Sequence, residues 1–396
     1  MYYVRIGIIS SGTSNDRVPP VYGGGIQKYI WNLAKNLNDL GHEVHIFTNQ
    51  QSAQLRSEVL SGVHIHRIAR VIRTQIFSTF MFGLKTYIRI LKVQKQWGHF
   101  HILNAQSRVS GLIIRSFLPH IPFIFTAHNW DVALTYPQTL IPFIPYFFLF
   151  WVEKRICLKS DSIIALTDYF RRILANRYKV PISKINIVPN MVDIHEKNED
   201  RHDLHPFLRR ITAEPYLIFI GRLEKEKGLG YLVDAFKSLL EQEKQLHLLI
   251  IGGGSLENQL KLQLRELKLQ NNVYILGNIH ETRLEYVMER ARALILPSEF
   301  EIMPTVILEA WAAGCPVIVN TFYGVQSLIR HNSTGLLFQK KESGQLLSFV
   351  HEVLENDILR NKLIETAKAE VKANFAAPQV GKKILKIYYN LLNRCN

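Results

Sequence analysis

An α/β fold in two doubly wound halves is predicted by three observations. Short apolar, β-rich runs alternate with helical patterns along nearly the whole chain, the alternation starts afresh at residue 216, and a charged stretch without apolar period, HEKNEDRHDLHP at 195–206, separates the two series. A chain of 396 residues is long enough for two such halves, each with its own core. The boundary is placed near residue 200.

The elements follow in order. VRIGIIS reads as a strand, GIQKYIWNLAKNLNDLG as an amphipathic helix, and HEVHIFTN as the next strand; HIHRI, FHILNA, PFIFTAH and SIIALT continue the series. Strand grammar resumes at YLIFIGRL and runs through LHLLIIGGG, NVYILGN, ALILPS and PVIVN, each followed by a helical or loop segment. No internal repeat and no low-complexity tract interrupts it. Two apolar stretches need separate treatment. Residues 132–152 carry no charge over 21 positions, long enough to span a bilayer as a helix, but Pro137, Pro142 and Pro145 break the backbone hydrogen bonding that lipid demands. A helix is predicted only over the last part, near 145–158. In the other stretch Phe77, Phe80, Met81, Leu84, Tyr87, Ile88 and Leu91 repeat at helical spacing, with Lys85, Arg89, Lys92 and Lys95 along another face. Such a helix either lies on anionic lipid or packs on its own domain, and the pattern alone gives the two equal weight.

Composition narrows the classes. Cys157, Cys315 and Cys395 are odd in number and show no metal-ligand spacing, which argues against a disulfide framework or a zinc site and fits a reducing cytosol. The opening MYYVRIGIISSGTSND lacks the basic start and cleavage site of a signal peptide, so the expectation is a chain that begins at its fold. Residues 1–200 hold 23 Lys and Arg against 12 Asp and Glu, while residues 201–396 hold 25 against 21. The first half is therefore the basic one, suited to an anionic partner whose kind the sign alone does not choose.

Several residues stand where chemistry happens. Gly23, Gly24 and Gly25 fall between the first strand and the first helix, where glycine lets backbone approach a ligand. IIGGGSLENQL has Glu257 where a dinucleotide loop needs its third glycine, and reads as a structural turn. Arg222 and Lys227 follow the first strand of the second half, where open α/β sheets bind ligands and two cations can neutralise a diphosphate. In EFEIMPTVILEA, Pro304 suits the first turn of a helix, with Met303 as an N-cap that offers no side-chain oxygen. The free amides of Thr305 and Val306 then suit a phosphate. Glu301 before that helix and Glu309 within it lie close enough for one ligand, though on this segment alone a solvated loop charge and an exposed helix position are the favoured reading.

GRLEKEKGLGYLVDAF, LIIGGGSLENQL, NNVYILGNI, ILPSEFEIMPTVILEAWAAGCPVIVN and GLLF recur in this order in the C-terminal domain of retaining glycosyltransferases of family 4, which share the GT-B fold. YGGGIQKYIWNLAKNLNDLGHEVHIFTN, TAHNWD and IVPNMVD resemble the N-terminal domain of the same family. The resemblance covers nearly the whole chain and is least distinct between 50 and 125. It implies two Rossmann-like domains facing a cleft: 1–200 for the acceptor, 201–375 for the nucleotide-sugar, and a closing helix at 376–396 packed back on the first. It further implies that Glu309 holds the ribose, Glu301 meets the donor sugar, and the amides of Thr305 and Val306 reach the phosphates. Arg222 and Lys227 match the pair that offsets leaving-group charge, backbone at Asn278 and Ile279 matches the loop that meets the base, and His128 matches a histidine near the transferred sugar and acceptor. Read without the family, His128 is an ordinary strand-end histidine. Met303-Pro304 replaces the commoner Phe-Gly, and Met191 replaces the glycine of PNGVD.

The function expected is transfer of a sugar, with retention, from a UDP- or GDP-sugar to a glycan or lipid-linked acceptor of the cell envelope. No metal, no other cofactor and no nucleic acid is called for, and a peripheral place on the cytoplasmic face of an anionic membrane is expected. A nucleotide-sugar epimerase or phosphorylase of the same fold, or a non-catalytic basic binding protein, are the rivals.

Overall fold

The structure, a computed structural model, describes residues 3–10, 18–20, 24–50, 54–69, 75–128, 143–194, 206–340 and 342–395. Gly23, Pro137, Pro142 and all of the linker expected at 195–206 except Pro206, which opens a helix, lie outside these residues. Contacts divide the described chain into two compact units, one holding 3–10, 18–20 and 24–191 with 377–395, the other 192–376.

The first unit runs β1 (Arg5–Ile9), α1 (Gly25–Asp39), β2 (Glu43–Gln50), β3 (Ser57–Leu60), β4 (Val63–Ala69), α2 (Gln75–Trp97), β5 (Ile102–Ala105), α3 (Arg108–Phe117), β6 (Phe123–Ala127), α4 (Phe143–Lys159), β7 (Ser162–Ala165), α5 (Asp168–Tyr178) and β8 (Ile185–Ile187). Its described strands form one sheet in the order β3-β4-β2-β1-β5-β6-β7-β8, parallel except for β3. Both faces are covered, so the strands read as unbroken apolar runs; Ile6, Ile8 and Ile9 are all fully buried. Two short strands escape the sequence reading. β3 is tied to β4 by Ser61-Gly62, both at positive φ, the hairpin turn that matches strand twist. β8 has three residues, too few to show a period.

Ile6, Ile8, Val44, Ile46 and Ile102 share one core with Tyr29, Leu33 and Leu37 of α1 and with Val380, Ile384 and Tyr388 of the last helix, α13 (Ala377–Cys395). Gly381 of α13 sits so close to α1 that a Cβ there would lie 1.8 Å from the Asn36 amide oxygen. α2, α3, α4 and α5 pack side by side as a separate layer. Within it α2 turns Thr79, Phe82, Thr86, Ile90 and Val93 inward and leaves Phe80, Ile88 and Leu91 exposed. The apolar stripe conspicuous in the sequence is thus not the buried one.

The second unit comprises α6 (Pro206–Ile211), β9 (Tyr216–Ile220), α7 (Leu229–Leu240), β10 (His247–Ile251), α8 (Glu257–Glu266), β11 (Val273–Gly277), α9 (Glu281–Arg290), β12 (Ala293–Leu296), α10 (Thr305–Ala313), β13 (Val317–Asn320), β14 (Leu336–Phe338), α11 (Ser343–Glu355) and α12 (Asp357–Glu370), the last continuing into one π-turn at Val371–Phe375. The strand order is β11-β10-β9-β12-β13-β14, all parallel. The order reverses between β9 and β12, and such a reversal opens a crevice at the strands' carboxyl ends. In the first unit the same reversal falls between β1 and β5.

No helix of the described residues is long and apolar enough to cross a membrane. Cys157 and Cys315 are buried free thiols, and Met191 is buried in the core of the first unit.

Candidate active site

At the β9/β12 reversal two loops meet. The loop after β9 carries Arg222 and Lys227, the loop after β12 carries Ser298 and Glu301, and the Glu299 amide donates to the Glu226 carbonyl at 3.0 Å, joining them. Gly228 makes the approach possible. It caps α7 in the left-handed region at φ 70°, and a Cβ there would stand 2.3 Å from the Pro297 carbonyl oxygen. Only glycine satisfies both demands.

Lys227 Nζ is ion-paired with Glu301 Oε1. The same oxygen accepts from Ser298 Oγ at 3.1 Å, and the Ser298 carbonyl accepts from Asn320 Nδ2 at 2.9 Å. Arg222 Nη2 donates to Glu226 Oε1 at 3.0 Å from a side chain that is 69% exposed. Each of the two cations thus holds a carboxylate, because the β9 loop brings its own acid and the β12 loop brings Glu301. A lysine held mainly by one acid and an exposed arginine on the same loop keep N–H groups that can be offered to a diphosphate oxygen.

α10 also begins differently from the sequence reading. Pro304, not Met303, is the N-cap, at φ −70° and ψ 116°, and the helix starts at Thr305. Its carbonyl already serves the Ile307 amide at 3.2 Å, a tight first turn that places proline outside the helix. No side chain caps this end and no acid stands in the first turn, so the Thr305 and Val306 amides find no acceptor within the helix. The positive end of the helix dipole is unmatched there. Glu309, one turn on, is half-buried. Asn278 and Ile279 follow β11, and a Cβ on Gly253, after β10, would lie 3.8 Å from Asn278 Nδ2. The carboxyl ends of β9, β10, β11 and β12 thus gather Arg222, Lys227, Asn278, Ile279, Glu301, Thr305, Val306 and Glu309 on one rim.

Gly24, Gly25 and His128 belong to the first unit. Gly24 caps α1 in the left-handed region at φ 84°, again without a side-chain cap, and Gly25 opens the helix. His128 directly follows β6, 8% exposed, its ring edge-on to Tyr29 at 4.7 Å. Burial lowers its pKa to about 3, so the ring is neutral at physiological pH. Gln106, at the end of β5, accepts from His128 Nε2 at 2.6 Å and donates to Asn104 Oδ1 at 2.9 Å; Asn104 Nδ2 donates to the Tyr388 hydroxyl at 2.7 Å. An amide oxygen only accepts, which puts the His128 proton on Nε2 and leaves Nδ1 as the basic nitrogen. Gln106, Ser298 and Glu226 were missed from sequence. A polar residue within two positions of the end of an apolar strand was the available signal for the first two.

A second polar group lies at the amino ends of β1, β2 and β4. Glu43, His45 and His64 bring potential metal ligands within 4.8 Å of one another. The carboxylate is already engaged: Arg5 Nε and His45 Nε2 reach Glu43 Oε1 at 2.8 and 2.7 Å, and Tyr3 donates to the other oxygen. His45 Nδ1 then accepts from His66 Nε2 at 2.9 Å. A cation would have to displace the Arg5 guanidinium, so this is a hydrogen-bonded network.

Two α/β units, each with one reversal of strand order at which a ligand crevice opens, are the architecture of the GT-B fold. The chain belongs to glycosyltransferase family 4: the model for "Glycosyltransferase Family 4" matches residues 23–196 and that for "Glycosyl transferases group 1" matches 200–370. An uncharacterized glycosyltransferase of Methanocaldococcus jannaschii is 23% identical over 93% of this chain and 95% of its own. Sucrose-phosphate synthase from Thermosynechococcus elongatus superposes with a TM-score of 0.83 at 20% identity, covering 99% of this chain and all of that one (100%). Anabaena HepE in complex with UDP-glucose gives 0.74 at 16% identity, over 98% and 100% of the two chains.

Proposed function

We propose that the protein transfers a sugar from a nucleoside-diphosphate sugar, with retention at the anomeric carbon, to a lipid-linked or envelope-polysaccharide acceptor at the cytoplasmic face of an anionic membrane. The observation that carries the donor half is the β9/β12 rim, where a Lys227–Glu301 pair and an uncapped helix start stand together. The leaving diphosphate gains charge as the glycosidic bond breaks. Arg222, Lys227 and the amides of Thr305 and Val306 oppose that charge, acting most strongly in the transition state without calling for a metal. Glu301, released from Lys227 as the lysine turns to the phosphate, is then available to a sugar hydroxyl; Glu309 takes the ribose, and backbone at Asn278 and Ile279 meets the base. The acceptor is assigned to the basic first unit around His128, whose neutral ring offers Nδ1 as an acceptor for a hydroxyl proton. Gly24 and Gly25 are assigned to donor binding, as close-approach backbone.

UDP-glucose is the first donor to try, since the HepE structure contains it. Purified protein is incubated with UDP- or GDP-sugars, with and without membrane lipid extract, and products are followed by mass spectrometry and anomeric NMR. Acceptor-dependent transfer with the donor's own anomeric configuration supports the reading. Epimerised donor formed without acceptor, or a product of inverted configuration, overturns it.

A further inference from the structure

The layer formed by α2, α3 and α4 has an outer surface that the donor site does not use. α2 and α3 approach closely: a Cβ on Gly83 would meet Ser110 Cα at 3.0 Å. That contact commits the Thr79, Gly83, Thr86 stripe to the interior and turns the more apolar stripe outward, so that Ile88 is 52% exposed. Phe117 of α3 is exposed as well and stacks on Tyr87 of α2 at 4.9 Å, which makes the two helix surfaces continuous. On α4, Phe148 and Trp151 are exposed, and the Arg155 guanidinium lies 5.3 Å over the Trp151 ring. Phe80 and Leu91 extend the patch along α2.

Charge on the same three helices has one sign. They carry nine Lys and Arg (Lys85, Arg89, Lys92 and Lys95; Arg108 and Arg115; Lys154, Arg155 and Lys159) and a single acid, Glu153, which is buried and held by Arg108 at 2.8 Å. The nearby acids are likewise engaged, Asp161 by Arg115 and Glu58 by Arg67. Among the described residues, exposed Lys92, Lys95 and Arg155 therefore find no carboxylate on this face. A second copy of the chain seated here would set these unpaired cations against their like.

We infer that the outer surface of α2, α3 and α4 docks on an anionic lipid bilayer, with Phe80, Ile88, Leu91, Phe117, Phe148 and Trp151 entering the headgroup–acyl boundary and Lys92, Lys95 and Arg155 meeting lipid phosphates. Aromatic and aliphatic side chains beside unpaired cations match the two layers of such an interface. The inference deepens the proposed function by naming the surface that brings the first unit to a lipid-linked acceptor, and it is testable without activity.

The test is co-sedimentation of the full chain with vesicles of phosphatidylcholine alone and of phosphatidylcholine mixed with phosphatidylglycerol, at low and high salt. Binding is expected only to the anionic vesicles, weakening with salt. Lys92→Gln, Lys95→Gln and Arg155→Gln together are expected to lower it about 100-fold, at roughly fivefold per charge. Ile88→Ser with Leu91→Ser should abolish the binding that persists at high salt while leaving the far-UV spectrum and thermal midpoint intact, since both side chains already face solvent. A blue shift of Trp151 emission, lost in Trp151→Ser, reports insertion. Equal, negligible sedimentation with both vesicle types overturns the inference. So does binding that all three Gln changes leave untouched, dimerisation suppressed by the Ser variants, or nucleic-acid binding that displaces the vesicles. Vesicle binding without sugar transfer would stand against the proposed function alone, and transfer without vesicle binding against this surface alone.

Discussion

Glu301 is the residue on which the proposed donor site turns, because Lys227 and Ser298 share one of its oxygens. Lys227→Ala is expected to weaken nucleoside-diphosphate binding and to lower turnover by about 10²–10³, the loss seen when one transition-state donor is removed. Glu301→Gln keeps the hydrogen bond from Ser298 and should spare nucleotide affinity while turnover falls. Calorimetry with the nucleoside diphosphate beside steady-state kinetics separates the two; nucleotide affinity lost in Glu301→Gln but kept in Lys227→Ala would reverse the roles. Gln106 acts through His128. Gln106→Ala releases the Nε2 proton from its acceptor, and a drop in turnover of about 10-fold or more is expected with donor affinity unchanged. Gln106→Glu should instead raise the His128 pKa and move the acid limb of the pH–rate profile upward, a shift that a purely structural role for Gln106 would not produce.

At the scale of elements, Gly228 and Gly230 make a matched pair, two residues apart at the start of α7. Gly228→Ala faces both a left-handed φ of 70° and a backbone oxygen 2.3 Å away, so a loss of about 2–4 kcal/mol is expected with a displaced β9 loop. Gly230, with nothing within 4 Å of its Cβ position, should gain about 0.5–1 kcal/mol on change to Ala from helix propensity alone. Urea unfolding of the two variants decides it; equal effects would mean that the loop, not the glycine, absorbs the contact.

Across the whole molecule, the polar network under β2 and β4 links stability to pH. Burial lowers His45 to about 4 and His66 to about 3 from the usual 6.5, with Arg89 and the neighbouring histidines adding to the effect on His66. Glu43 is held at about 2: burial alone would raise it, but hydrogen bonds from Arg5, Tyr3 and His45 outweigh that. An unfolded chain takes up protons on these histidines below pH 6.5 whereas the folded chain refuses them until about 4 and 3. Stability is therefore full above about pH 6.5, falls as pH drops toward 4, and loses the Glu43 contribution lower still. The histidine pair should account for a few kcal/mol, since each tenfold loss of proton affinity on folding corresponds to about 1.4 kcal/mol. Chemical denaturation between pH 7.5 and 4.5 should show this slope, and His66→Phe, apolar and of similar size, should flatten it. An unchanged slope in that variant would place the acid sensitivity elsewhere.

The alternation of apolar runs with helical periods made two α/β units legible from sequence, since period and burial on both sheet faces depend on the local chain. Arg222 and Lys227 stood out in the sequence because ligand sites follow strand ends, whereas the Glu301–Glu309 segment stood out through the family resemblance. What tertiary structure alone decided were pairings over long separations and the choice of buried face. Lys227 meets Glu301 across 74 residues of chain, and Gln106 meets His128 across 22, distances at which sequence carries no geometry. Nor does sequence say which stripe of α2 goes inside. The helical period marked Phe80, Ile88 and Leu91 as one face, but Gly83 and the small residues beside it let α3 come close on the other. Close packing there decided the orientation and left the apolar stripe facing outward.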